Sequence, residues 1–162
     1  MARKPHPDFR PVREKTLTEL EGKDWGPTTD EGYLVPMIHR LRHVPLKKFG
    51  IEDLRILIGQ GIGLPWLVPL ALEHLEKHPF AAGDFYPGDL LKNVATIPKE
   101  FWSGRPELRD QLKRALSRAL ERIHKIDTVS NLEPKLRSAL QEMETSSQNP
   151  KSGRGGSDPT AG

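Results

Sequence analysis

Hydrophobic residues recur at three- and four-residue intervals along most of this chain, the spacing of one face of an α-helix. Over 106–126, Leu108, Leu112, Ala115, Leu116, Ala119, Leu120, Ile123 and Ile126 make the longest stripe. Arg109, Lys113, Arg114, Arg118, Arg122 and Lys125 fall largely opposite it. Over 51–58, Ile51, Leu54, Leu57 and Ile58 share a face. Ile56 widens that face, which predicts a helix buried on more than one side. Its first turn carries Glu52 and Asp53, where acids meet the positive end of the helix dipole. Gly59, Gly61 and Gly63 stop it, since glycine readily takes a positive φ. Leu64-Pro65-Trp66 then reopens a helix that turns Trp66, Leu67, Leu70, Ala71 and Leu75 inward. Pro65 suits its first turn, and Pro69 is placed to kink it. These two segments predict an antiparallel helix pair across a glycine corner.

The remaining elements are shorter. Thr16 and Glu19 have the spacing of a capping box and predict a helix over 16–21. Trp25 is expected to pin the 22–29 loop to the core. A helix over 30–43 places Tyr33, Leu34, Met37, Ile38 and Leu41 on one side, and Val44-Pro45 ends it. Helices over 89–94 and 132–143 complete the set, the second with Leu132, Leu136, Leu140 and Met143 in register. No strand alternation and no internal repeat is present. The expected fold is all-α, a single helical domain of six to seven helices over 16–143. A basic Pro/Arg/Lys-rich segment (1–15) precedes it. A Ser/Gly/Pro-rich tail (144–162) follows, with too little apolar content to order either end.

Composition narrows the class. The 35% hydrophobic content fits a helical core with polar ends. A net charge of +3 and a pI near 9.2 are mildly basic, too weak a signal to argue for nucleic acid. Without cysteine there is no disulfide or thiolate chemistry. No apolar leader region and no run of about 18 apolar residues occurs, so a cytoplasmic chain without membrane contact is expected.

Several patterns invite chemistry and are better read as structure. The Gly59–Gly63 run follows a helix rather than a strand and lacks a Gly-Lys-Ser/Thr end, so it is a corner and not a phosphate loop. His39/His43 and His74/His78 have the i, i+4 spacing of zinc ligands but no evident third ligand. Asp84 and Asp89, near Glu73 and Glu76, could be paired carboxylates of a hydrolase. The simpler reading makes Asp89 the N-cap of the next helix and Asp84 an organiser of its loop. Arg55 is expected as a buried or half-buried ion-pair partner for an acid such as Asp84 or Asp89. On the basic helix, Asp110 with Arg114 and Glu121 with Lys125 have the spacing of i, i+4 ion pairs. No catalytic residue, metal site or cofactor is expected.

One long motif string goes further. Pro45-Leu46, Glu52 to Ile58, Gln60, Gly63-Leu64, Leu67, Pro69, Ala71-Leu72, Gly83-Asp84, Tyr86, and Gly88 to Leu91 stand in order. Leu17, Glu19 to Glu21 and Trp25-Gly26 precede them, and Phe101-Trp102 follows. Over Leu17 to Trp102 this string resembles the immunity proteins of bacterial contact-dependent growth inhibition (CDI) systems. The Pro/Arg-rich start and the long basic helix with its polar tail depart from that pattern. The resemblance implies a protein that binds and neutralises the C-terminal toxin domain of a cognate effector by stoichiometric inhibition. If the toxin is a nuclease with a basic cleft, acidic patches suit it. The candidate toxin-binding residues are then Asp24, Asp30, Asp84, Tyr86 and Asp89. The alternative is a helical nucleic-acid-binding module using the basic face of 106–126.

Overall fold

The computed structural model describes residues 10–148. The first nine residues of the basic N-terminal segment and the tail from 149 onward lie outside the described residues. All seven expected helices are present, joined by two four-residue helices. In chain order they are α1 (Arg10–Arg13), α2 (Leu17–Glu21), α3 (Leu34–Leu41), α4 (Ile51–Gly59), α5 (Leu64–Lys77), α6 (Asp89–Ala95), α7 (Lys99–Trp102), α8 (Pro106–Arg122) and α9 (Leu132–Gln148). Short 3-10 turns cover Leu46–Lys48 and Ile123–Lys125. No strand occurs among the described residues. The fold is all-α.

One continuous core runs through the helices. Leu54, Leu57, Leu67, Leu72, Leu75, Leu90, Leu91, Leu112, Leu116, Leu132 and Leu136 are buried in it. Each contributes roughly 1.5–3 kcal/mol by leaving water. In α4 the residues Leu54, Ile56, Leu57 and Ile58 are all buried, as the wide apolar face predicts. The glycine corner ends at Gly63 (φ +65°), which leads into α5. A side chain there would collide with buried Leu17, so glycine serves both the turn and the close approach. Although α4 and α5 touch across this corner, α4 packs chiefly on α6 and α5 on α8, while α9 closes over α6 and α8.

Element ends differ from expectation where side chains compete with helix geometry. Helix α3 starts at Leu34, four residues after the predicted start. Asp30 Oδ1 accepts the N–H of Gly32 (2.7 Å), and Thr28 Oγ1 accepts that of Asp30 (3.1 Å). These local bonds hold the backbone in turns instead of a helical ladder. The predicted 106–126 helix is α-helical to Arg122 and then tightens into the 3-10 turn. Helix α9 runs five residues past Met143, to Gln148. The capping box at α2 forms as predicted: Thr16 Oγ1 accepts Glu19 N–H, and Glu19 accepts Thr16 N–H.

Candidate functional site

Two loops present exposed aromatic and acidic side chains, and each is mounted on an arginine. The first runs from α2 to α3. Arg42, just past the end of α3, is fully buried. Its Nη1 lies 2.7 Å from Glu21, an ion pair whose angle does not make a hydrogen bond. Its Nη2 donates to the Lys23 carbonyl (3.0 Å), and the guanidinium lies 4.1 Å from the ring centre of Trp25. His39 also meets Trp25, in a T-shaped contact with 5.6 Å between ring centres. Trp25 therefore covers the buried arginine from outside. It stays 42% exposed, so it pins the loop through a buried arginine rather than through the apolar core.

Histidines tie the same loop to α3. His39 Nδ1 lies 2.9 Å from the Gly26 carbonyl; a carbonyl only accepts, so Nδ1 carries the proton. His43 donates from Nδ1 to the His39 carbonyl (3.0 Å) and faces Asp24 from Nε2 at 3.2 Å. Both nitrogens then donate only in the imidazolium, and the His43 pKa is raised, first by the His39 carbonyl and then by Asp24. Asp24 also accepts the Gly26 N–H, which is the main cause of its lowered pKa. Beyond this point Asp30, Glu31, Tyr33, Leu34 and Val35 are all exposed. Tyr33 and Leu34 were expected on the apolar side of the helix.

The second loop joins α5 to α6. Asp89 is 3% exposed and is the first residue of α6, not its cap, because Gly88 holds that position. Its carboxylate points back into the loop and accepts the N–H groups of Gly83 (2.7 Å) and Phe85 (3.1 Å). Arg55 Nε sits 3.8 Å from Asp89, yet its main partner is Glu52, one turn away on α4, at 2.6 Å. Glu52 also accepts the Asp84 N–H (2.8 Å); Arg55 and then this bond lower its pKa against the opposing effect of burial. The Asp84 carboxylate itself is exposed. Phe85, 70% exposed, lies 4.3 Å above the Arg55 guanidinium. Tyr86 is half-buried, and burial followed by the charge of Asp89 raises its pKa.

The sequence model of the CDI immunity proteins matches residues 19–112, more than half of the chain. The chain belongs to the CDI immunity proteins. No curated protein matches it. The span shared with the family contains both loops and both arginines, whereas α9 lies wholly past it.

Other candidate features of this CDI immunity protein have structural roles. Among the described residues no group of three or more His, Asp or Glu side chains could hold a metal. The grooves between α5 and α8 and between α6, α7, α8 and α9 are lined by neither Asp84 nor Asp89. On the basic helix, Arg114 (3.1 Å) and Arg118 (2.7 Å) both reach Glu76 of α5, so these cations brace two helices. The predicted pairing of Arg114 with Asp110 gives way to this longer contact. Among the described residues no helix is long and apolar enough to cross a membrane. Sequence reasoning missed Arg42, Glu52 and Phe85. Arg42 looks like any cation at a helix C-terminus, and only the chain crossing over it makes it buried.

Proposed function

We propose that this chain neutralises the toxin domain of its cognate CDI effector by binding it one to one and blocking its active site, without catalysis of its own. Membership of the CDI immunity proteins carries this reading. Neutralisation takes place in the cytoplasm, through the helical body spanning 16–143. The toxin is a nuclease whose basic substrate cleft accepts acidic side chains in place of phosphates. Asp24 and Asp30 on one loop, and Asp84 and Tyr86 on the other, are the candidate contacts. Asp89 takes part indirectly, by fixing the shape of its loop, because its carboxylate is committed to Gly83 and Phe85.

The test begins with the tagged full-length chain as bait in its native host. Recovery of one large exported protein, or its C-terminal fragment, at near-equal stoichiometry is expected. Co-expression of that fragment with this chain should restore growth, and the fragment alone should stop it. Failure to recover or neutralise such a fragment, with the bait folded and the effector expressed, would refute the reading.

A further inference from the structure

We infer that the α2–α3 loop and the first turn of α3 form the docking surface for the toxin, centred on Tyr33, Leu34, Val35 and Trp25, and that the surface it meets is basic around an apolar pocket. This rests on the toxin-binding reading above and adds where binding occurs. Three observations carry it.

The first is a mismatch between pattern and burial. Tyr33 and Leu34 belong to the apolar side of the helical pattern, yet Tyr33 is 69% exposed and Leu34 and Val35 are also exposed. Three consecutive apolar residues reach the surface, Tyr33 for the most part and Leu34 and Val35 by a little over a third, and such a patch suits a partner that covers it. Val35 lies one turn before His39 on α3, and His39 contacts Trp25, so the tryptophan extends the same patch along the helix. Tyr and Trp are the side chains most often found at the energetic centre of interfaces.

The second is pre-organisation. The loop is fastened at Arg42, at Gly26 from both its N–H and its carbonyl, and at the Asp30 turn. A patch held in shape before binding loses little conformational entropy when it binds. Burying an arginine to support an exposed tryptophan contributes little to a core but fixes that ring in place.

The third is charge. Between residues 19 and 35 there are five acids (Glu19, Glu21, Asp24, Asp30, Glu31) and one cation, Lys23. Glu21 faces Arg42 and Asp24 faces His43, while Asp30 and Glu31 stand beside Tyr33 without a cationic partner in these contacts. Arg40 lies farther along α3. The Tyr33 end is therefore acidic and complements lysines and arginines. The 83–89 loop offers one exposed apolar ring, Phe85, rather than a run of consecutive exposed apolar residues.

The test measures binding of the purified toxin domain, recovered with the wild-type chain, to full-length variants by calorimetry or interferometry. Y33A/L34A should weaken binding about 30-fold or more, the range of an interface hot spot, with an unchanged melting curve. E31K should slow association several-fold at low salt and much less at high salt. V129A, an exposed apolar position outside both loops, should bind within about twofold of wild type. Wild-type binding with Y33A/L34A unaffected overturns this surface and leaves the toxin-binding reading standing. Absence of wild-type binding overturns that reading, and this inference with it.

Discussion

Replacing Asp89 with asparagine tests whether this buried acid is there to build a loop. The carboxylate accepts two backbone N–H groups and lies 3.8 Å from Arg55. Asparagine keeps one acceptor oxygen, but its amide group then faces the second N–H, donor against donor. A hydrogen bond to a charged group contributes about 1.5–3 kcal/mol. Losing one, weakening the other and removing the Arg55 attraction sums to roughly 2–4 kcal/mol. Arg55 keeps Glu52, and the Phe85 N–H can take up water, so the upper end is not exceeded. For a chain of this size about 1 kcal/mol moves the melting temperature by roughly 2–4 °C. A fall of about 5–15 °C is therefore expected for D89N, read by thermal and urea denaturation at neutral pH. Hydrogen exchange should quicken at Gly83 and Phe85. D84N, whose carboxylate is exposed, should stay within about 0.5 kcal/mol of wild type. If D89N melts with or above wild type, the reasoning fails. Asp89 would then be an acid held at a stability cost for binding or chemistry.

Three further predictions follow from the packing and electrostatics. G61A meets open space and has only the positive φ to bear, about 1–2 kcal/mol, whereas G63A adds a clash with Leu17 and should cost at least about 1 kcal/mol more in urea melts; equal costs would show that the Leu17 approach is slack. E21Q leaves Arg42 buried without its counter-charge, while R42M leaves the partly exposed Glu21 free to rehydrate, so E21Q should be the more destabilising, by about 1 kcal/mol or more; the reverse order would mean that Arg42 holds the loop through Lys23 and Trp25 rather than by charge. His43 should titrate above 6.5 by NMR and move back toward it in D24N. Its contribution is fully present below the unfolded value and disappears as pH rises through the raised folded value; that of Asp24 is present above 3.8 and disappears as pH falls through its lowered value. The loop is thus best held between the two unfolded values, 3.8 and 6.5, and a His43 midpoint at or below 6.5 would refute the pair.

The all-α class, the position of seven helices and the glycine corner were legible in the sequence because each depends on local rules. Apolar periodicity, a capping box, and the stop signals of glycine and proline act within a few residues of one another. The ordered motif over Leu17 to Trp102 pointed to the same family that matches 19–112. Helix ends were less legible. At Asp30 a side-chain-to-backbone turn outweighs an apolar pattern that favours continuing the helix. Only tertiary structure decided the roles of the polar residues at the candidate surfaces. Asp84 and Asp89 look alike in sequence, yet one is exposed and the other is enclosed by the loop whose amides it binds. Arg42 becomes a buried support only because the chain returns across it with Glu21, Lys23 and Trp25. Tyr33 and Leu34 end up outside because no other helix among the described residues covers the start of α3. Periodicity shows which face of a helix is apolar; whether anything packs against that face depends on residues far away in the chain.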